Sequence, residues 1–347
     1  MDHYAAIDVS LERSSVCIVD AAGAIVREAK VASEPEAVVR LLRSTGFGFA
    51  RVGLEAGPLS QWLHAGLVAA GFDAVLLETR RVKAALSAMT AKTDRNDARG
   101  MAQMLRMGWF RPVHAKTLAA QEVRALLSTR KLLQSKLNDI ELSLRGVLRG
   151  FGLKVGPTTP ARFEARIREL VDGQATLEAL SGPVLRARAS LRSELAHLHK
   201  RLLAIARADD VCRLLTSMPG VGAIVALTFR AAVDDPTRFR RSRDVGAVFG
   251  LVPRRYQSGE VDRIGSISKA GDAGVRSALF EAALVLLTRV QRFSWLKAWA
   301  VRLAGRRGQK RAIVALARRM AVVMHRMWAD GTPFRWTRDA AGAAPAV

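Results

Sequence analysis

The sequence predicts a mixed α/β domain at the N-terminus, then a helical or coiled-coil arm, then a mainly α-helical domain. Three observations carry that prediction. Apolar segments near the start read as three strands in succession, then as helix and strand by turns. Between Thr117 and Leu148 there is no proline and a single glycine, and leucines recur at helical spacing. Charge is also uneven within a chain of net charge +24: residues 1–113 hold 14 Lys+Arg against 12 Asp+Glu, residues 114–212 hold 17 against 10, and residues 213–347 hold 24 against 9. The expected divisions are 1–114, 115–212 and 213–347.

The elements follow in order. Tyr4–Val9 and Ser14–Val19 alternate as strands, Asp20-Ala-Ala-Gly23 supplies a turn, and Ala24–Val31 returns as a third strand. Pro35–Arg43 has helical spacing, Arg51–Leu54 is a short strand, and Leu59–Ala70 is a helix stopped by Gly71. Ala74–Leu77 is a further strand and Arg80–Ala88 a helix. Three antiparallel strands followed by alternating helices and strands is the order of ribonuclease-H-like nucleases. In the arm, Leu126, Leu127, Leu133, Leu137, Ile140, Leu144, Val147 and Leu148 share a helical stripe. A breaker at Gly150–Pro160 separates it from helices at Arg162–Val171 and Val184–Ala208. From Leu214 the chain turns rich in Gly and Arg, and helices at Gly274–Leu303 and Gln309–Ala329 close it before a frayed tail after Gly331.

Composition narrows the function. Half the 347 residues are apolar and a quarter charged, which excludes a disordered chain. Cys17 and Cys212 match no zinc or redox spacing, and no signal peptide or membrane span is visible, so the expected setting is the cytoplasm. An isoelectric point near 11.4 favours a polyanionic partner. Of the 55 basic residues 44 are Arg, which suits bidentate phosphate contacts, although a GC-rich genome also raises Arg.

Four carboxylates fall in the one stretch that is not basic. Asp8 ends the apolar run Ala5-Ala6-Ile7, where an unpartnered charge is costly; it is a metal ligand or a strand-end turn residue. Glu55 follows Val52-Gly53-Leu54 just before Gly57-Pro58, as a ligand or as an acidic group favoured at a helix start. Asp94 and Asp97 lie three apart, on one helical face, where their repulsion is relieved by a bound cation or where Asp94 is a solvated cap. The four make a ligand set for two Mg²⁺ ions about 4 Å apart, one activating the attacking oxygen and one stabilising the leaving oxygen.

The C-terminal third adds phosphate-binding candidates. Pro219-Gly220-Val221-Gly222 reads as a helix–hairpin–helix turn with amides open to a phosphate, or as an ordinary tight connection. Pro253-Arg254-Arg255-Tyr256-Gln257-Ser258-Gly259 reads as a polar loop. It offers Ser258 as a nucleophile with Arg254 and Arg255 neutralising the phosphate, Tyr256 as a rival nucleophile, or simply a loop serine. Lys269 is a phosphate contact or a surface charge.

These blocks resemble a known family, the DEDD insertion-sequence transposases that include pilin-gene invertases and bridge-RNA-guided recombinases. The matching residues are Ala-Ile-Asp8-Val-Ser10, Leu-Glu55-Ala-Gly-Pro58, Lys92-Thr-Asp94-Arg-Asn-Asp97-Ala-Arg99, Pro219-Gly-Val-Gly222, Phe249-Gly-Leu-Val-Pro253, Gln257-Ser258-Gly259 and Ile267-Ser-Lys-Ala-Gly271. They occur in family order from about residue 4 to 290. The resemblance implies a RuvC-like domain holding Mg²⁺ through Asp8, Glu55, Asp94 and Asp97, a helical arm, and a domain whose Ser258 attacks DNA to form a phosphoserine link. It also implies donor and target DNA, a structured non-coding guide RNA, and a homo-oligomer (dimer to tetramer) with composite sites between subunits. Two departures are notable: Ala-Gly-Pro after Glu55 where Ala-Thr-Gly is usual, and Asp272 where Asn is usual, the latter placing a negative charge near the expected nucleic acid. The other readings are a junction-resolving nuclease using metal-activated water, and an inactive nucleic-acid-binding scaffold.

Overall fold

The computed structural model describes residues 2–87, 91 and 93–337. Ala88 of the expected helix, Lys92 of the acidic block and the tail from residue 338 lie outside the described residues. The chain forms two compact units, Met1–Lys116 and Thr117–Val347.

In the first unit the elements run β1 (His3–Asp8), β2 (Arg13–Val19), β3 (Ile25–Ala32), α1 (Pro35–Arg43), β4 (Phe49–Glu55), α2 (Ser60–Ala69), β5 (Ala74–Leu77), α3 (Thr79–Leu86), α4 (Asp94–Arg106) and β6 (Pro112–Val113). They build one six-stranded sheet in the order β3-β2-β1-β4-β5-β6. Strands β1, β4 and β5 are parallel to one another, and β2, β3 and β6 pair antiparallel with their neighbours. This is the ribonuclease-H-like, RuvC-like arrangement. Strand β6 adds an antiparallel edge that two residues are too short to announce by periodicity.

Alternation along each strand sorts the sheet into two faces. Ile7, Val16, Ile18, Val52, Leu54 and Leu76 bury against Val38 and Leu42 of α1 and Leu63 and Leu67 of α2. Ala6, Cys17, Val19 and Leu77 bury against Ala98, Met101, Ala102 and Leu105 of α4. Burial on both faces explains why β1 and β4 read as continuous apolar runs. Gly53 makes room for the buried Leu105 side chain: a Cβ there would sit 2.5 Å from Leu105 Cδ1, so a larger residue would force that leucine to shift.

In the second unit α5 (Leu118–Gly150) packs along α7 (Ala175–Ala208), each about 50 Å long at 1.5 Å per residue. At one end they enclose a small core with α6 (Phe163–Val171), made of Leu144, Leu148, Phe163, Ile167, Leu177 and Leu185. At the other, Val123, Leu126, Leu127, Leu198, Leu202 and Ile205 join the main C-terminal core. Helix α7 starts nine residues earlier than the expected Val184, with Pro183 inside it. Buried Leu177 and Leu185 on either side hold the helix through the proline, which forfeits a single amide.

The remaining elements are α8 (Asp210–Thr216), α9 (Ala223–Val233), α10 (Val245–Val248), β7 (Pro253–Ser258), β8 (Val261–Ile267), α11 (Ala273–Thr288), α12 (Trp295–Arg307) and α13 (Gln309–Asp330). The single helix expected over Gly274–Leu303 is two helices. Apolar spacing runs on past Thr288, but the Ser294 hydroxyl accepts from Lys297 N at 3.2 Å and starts a new one. The polar loop expected around Ser258 is a two-stranded ribbon, because Gly259 and Glu260 close a tight hairpin between β7 and β8.

Candidate active site

Strand register brings two of the four carboxylates side by side. Ile7 of β1 pairs with Leu54 of β4 in parallel, so Asp8 and Glu55 are the next residues at the carboxyl ends of adjacent strands. Across the sheet Asp8 pairs with Ser15 of β2, and Ser15 pairs with Lys30 of β3. In-register neighbours share a face, so Glu55, Asp8, Ser15 and Lys30 form one row on the α4 side. Lys30 ties the row to the helix: its Nζ lies 3.9 Å from Asp94 Oδ2. Asp94 is exposed and Asp97 half-buried, both in the first turn of α4. The helix is capped by Thr93, whose Oγ1 accepts from Asn96 N, rather than by Asp94. A groove of about 430 Å³ opens at this level, lined by Ser15, Lys30, Thr93 and Asp94 among others.

A second row, one pleat below, anchors the start of α4. Glu28 of β3 accepts from Arg99 Nε at 2.7 Å and Nη2 at 2.9 Å, and from Arg95 Nε at 2.9 Å. Those hydrogen bonds, Arg99 first and Arg95 second, pull the Glu28 carboxyl down to about 2. Cys17, paired with Glu28 in register, is pushed up to about 11 by burial and by that negative charge, and stays a thiol. Sequence reasoning missed Glu28, Arg95 and Arg99. The visible signal was Arg95 and Arg99 at i, i+4 beside an acidic strand residue, but nothing local names their partner.

Among the described residues no group of three or more His, Cys, Asp or Glu is arranged as a metal cage. The donor chemistry of the paired Asp8 and Glu55 nevertheless fits Mg²⁺, which binds through one or two carboxylates and takes its other oxygens from water and substrate phosphate.

Ser258 ends β7 and pairs with Val261 at the exposed tip of the ribbon. Tyr256 pairs with Arg263, so the face that carries Ser258 also carries Tyr256 and Arg263. The two arginines expected at the phosphate are engaged elsewhere. Arg255 lies on the opposite face, where Asp262 holds it at 2.6–2.8 Å. Arg254 Nη2 donates to the Ser268 carbonyl at 3.1 Å.

Two of the quoted blocks, Phe249–Pro253 and Ile267–Gly271, form one backbone clasp at the root of this ribbon. Ser268 N donates to Val252 O and Lys269 N to Gly250 O. Gly250 and Gly271 both have left-handed φ, and a Cβ on either would stand within 2.2 Å of a carbonyl oxygen of the other strand of the clasp. Arg276 Nη1 donates to the carbonyls of Phe249, Ala270 and Gly271. Lys269 is exposed, with a left-handed φ of 55° that the crossing imposes. Of the expected phosphate turn, Gly220 (φ 88°) packs against α11, where a Cβ would meet Ala282 O at 2.5 Å. Gly222 has open space around it and precedes α9, whose start has no side-chain cap.

Comparison with known proteins now bears on these residues. One transposase family profile matches residues 5–152, and a second, described as the transposase IS116/IS110/IS902 family, matches residues 212–299. The transposase for insertion sequence element IS1111A of Coxiella burnetii is 31% identical over 329 residues, covering 92% of this chain and 87% of that one. The chain belongs to the IS116/IS110/IS902 family of transposases. The transposase for insertion sequence element IS1328 of Yersinia enterocolitica is 32% identical over 127 residues, 36% of this transposase and 38% of that one. Among solved structures, T. thermophilus RuvC in complex with Holliday junction substrate covers 33% of this chain and 100% of its own at 16% identity, with a TM-score of 0.26. The RuvC-like assignment therefore rests on strand order and the family match, not on that overlay. In this transposase the first matched region contains Asp8, Glu55, Asp94 and Asp97, and the second contains Gly220, Gly222, Ser258 and Lys269.

The departure at Asp272 is accounted for by the fold of the transposase. Its Oδ1 accepts from Gly274 N and Val275 N as the N-cap of α11, and its Oδ2 pairs with Arg124 of α5. The charge is spent inside the protein rather than turned toward a ligand.

Proposed function

We propose that this transposase cuts and rejoins DNA strands for a mobile insertion sequence, with Ser258 as nucleophile and with Asp8, Glu55, Asp94 and Asp97 as the residues that would hold Mg²⁺. The observation that carries the reading is the in-register pair Asp8 and Glu55 beneath the acidic first turn of α4. Bound there, Mg²⁺ would supply Lewis-acid neutralisation of a phosphodiester oxygen. The chain's own residues do the rest. Ser258 Oγ gives up its proton to solvent and bonds to phosphorus, and the bond from phosphorus to a sugar oxygen breaks, that oxygen taking a proton. Attack by a hydroxyl of another strand reverses the exchange and frees the serine. Arg263, on the Ser258 face, neutralises the phosphate, and Tyr256 beside it offers a stacking surface to a base.

The reading also includes assembly as a homo-oligomer, dimer to tetramer, with carboxylates and serine of different copies sharing each site. A structured non-coding guide RNA paired to donor and target DNA completes it, supported by the excess of arginine over lysine. The test is denaturing electrophoresis of the full chain with labelled DNA and Mg²⁺. Wild type is expected to give a covalent protein–DNA band that Ser258→Ala abolishes and Tyr256→Phe retains, while Asp8→Asn stays folded and inactive. Cleavage with no covalent band in wild type would support instead a nuclease that uses water.

A further inference from the structure

The proposed chemistry gives the C-terminal helices no part, yet their charge is extreme. From Ala282 to Ala329 there are eleven Lys and Arg and no Asp or Glu. At 31 acidic residues in 347, about four would fall in those 48 positions. A codon bias toward arginine does not delete carboxylates.

The structure sorts these cations. Lys297 is buried with its ammonium on the Val290 carbonyl. Arg292 lies 4.1 Å over Trp336, Arg319 lies 4.4 Å over Trp299, and Arg326 pairs with Asp330 at 3.2 Å. Arg289 and Arg318 are exposed singly, and the other five gather at one corner: Arg302, Arg306 and Arg307 in the last turns of α12, and Lys310 and Arg311 in the first turn of α13. Gly308, with φ 78°, turns the chain between them. All five are exposed, and among the described residues none is ion-paired to a carboxylate.

That corner is electrostatically uphill. Arg302 and Arg306 are like charges at i, i+4 on one helix face. Lys310 and Arg311 stand at the positive end of a 22-residue helix, where the macrodipole disfavours cations and favours anions. An external polyanion removes both costs. Residues 302–311 include no aromatic side chain, so they offer nothing for exposed bases to stack on. Charge without stacking suits a duplex, whose bases are turned inward and whose backbone is the accessible surface.

We propose that the α12–α13 corner grips the sugar–phosphate backbone of duplex DNA at a distance from the phosphodiester that reacts. This rests on the reading that DNA is the substrate, but it concerns binding and not cleavage. The test uses the full-length quadruple variant Arg306→Gln, Arg307→Gln, Lys310→Gln, Arg311→Gln with a labelled duplex of arbitrary sequence, titrated by fluorescence anisotropy at several salt concentrations. Four lost phosphate contacts at about 0.9 each should flatten the slope of log K against log salt by about 3.6. Raising salt from 50 to 200 mM then costs wild type about 150-fold more affinity than it costs the variant. A circular-dichroism melt shows that the variant is folded, and Arg326→Gln, a cation outside the corner and paired with Asp330, is expected to keep the wild-type slope. A quadruple variant with the wild-type slope overturns the corner and leaves the cleavage reading standing. A slope unchanged for DNA but flattened for a hairpin RNA also overturns it, and assigns the surface to RNA.

Discussion

Arg124 and Asp272 are 148 residues apart in sequence and 2.5 Å apart in the fold, joining the first turns of α5 to the N-cap of α11. Asp272 therefore closes the helix that leaves the backbone clasp, and the ribbon bearing Ser258 grows from that clasp.

Asp272→Asn and Asp272→Ala should separate the cap from the ion pair. Asparagine keeps an oxygen for the Gly274 and Val275 amides and loses only the pairing with a partly exposed arginine. Alanine loses both, and the cap alone is worth about 1 kcal/mol. Urea melts at pH 7 should therefore rank wild type, Asn, Ala, with the Ala variant lower by at least that amount. Burial raises the Asp272 carboxyl, but the Arg124 charge and hydrogen bond and the two amides outweigh it, so its folded pKa is lowered. A lowered acid stabilises the fold above its unfolded pKa and loses that contribution as pH falls through the folded one. The acid limb of the stability curve should be shallower in Asp272→Asn, and equal limbs would argue against the pair.

Glu28→Gln tests whether the second row holds the acidic turn of α4 in place. The carboxyl titrates at about 2 in the fold against 4.5 ordinarily. Its contribution is thus complete above about pH 4.5 and disappears between there and about pH 2. At neutral pH the variant loses the charge-assisted fork to Arg95 and Arg99. Amide exchange over Thr93–Arg99 should then quicken while exchange in β1 and β4 stays slow. Uniform quickening across the first unit would mean that Glu28 merely supports the sheet.

The two glycines of the expected phosphate turn should part company. Gly220→Ala must fit a Cβ 2.5 Å from Ala282 O at a left-handed φ, a combination of clash and strain that costs about 2–4 kcal/mol. Gly222→Ala meets nothing within 4 Å and should change the melting temperature little. If Gly222→Ala alone weakens binding to DNA, the open α9 start is a phosphate contact. If neither substitution affects DNA affinity beyond its effect on folding, the turn is purely a packing device.

The sequence showed the α/β order and the long arm helices because each rests on local pattern: strand alternation and a breaker-free stripe of leucines. What escaped it was pairing. Nothing near Lys30 says that β3 carries it into the row with Asp8, and nothing near Arg276 says that it serves three carbonyls. The ribbon was read as a loop because its polar, exposed strands have no apolar alternation to announce them. Asp272 looked like a charge facing nucleic acid because its partner Arg124 is on another helix. Pro183 and Ser294 misled in opposite directions, the one tolerated inside a helix and the other starting a helix within apolar spacing.

With Ser258 as the proposed nucleophile, the ribbon's register selects which arginine would work beside it. Arg255 adjoins Tyr256 in sequence, but it lies on the other face and is held by Asp262, which lowers its availability to a phosphate. Arg263 is more distant in sequence and shares the Ser258 face through its pairing with Tyr256. Loss of a guanidinium that stabilises charge developing on a phosphoryl oxygen costs about 10²–10³ in rate. Arg263→Gln should therefore slow formation of the covalent protein–DNA species by about that factor, with partial rescue in Arg263→Lys. Arg255→Gln should slow it by less than about tenfold, since what it removes is a cross-strand pair worth about 0.2–1 kcal/mol. The discriminating measurement is the single-turnover rate of covalent species formation at saturating protein, which removes differences in DNA affinity. Equal losses at both positions would mean that the ribbon acts through its stability, and a larger loss at Arg255 would reverse the assignment of faces.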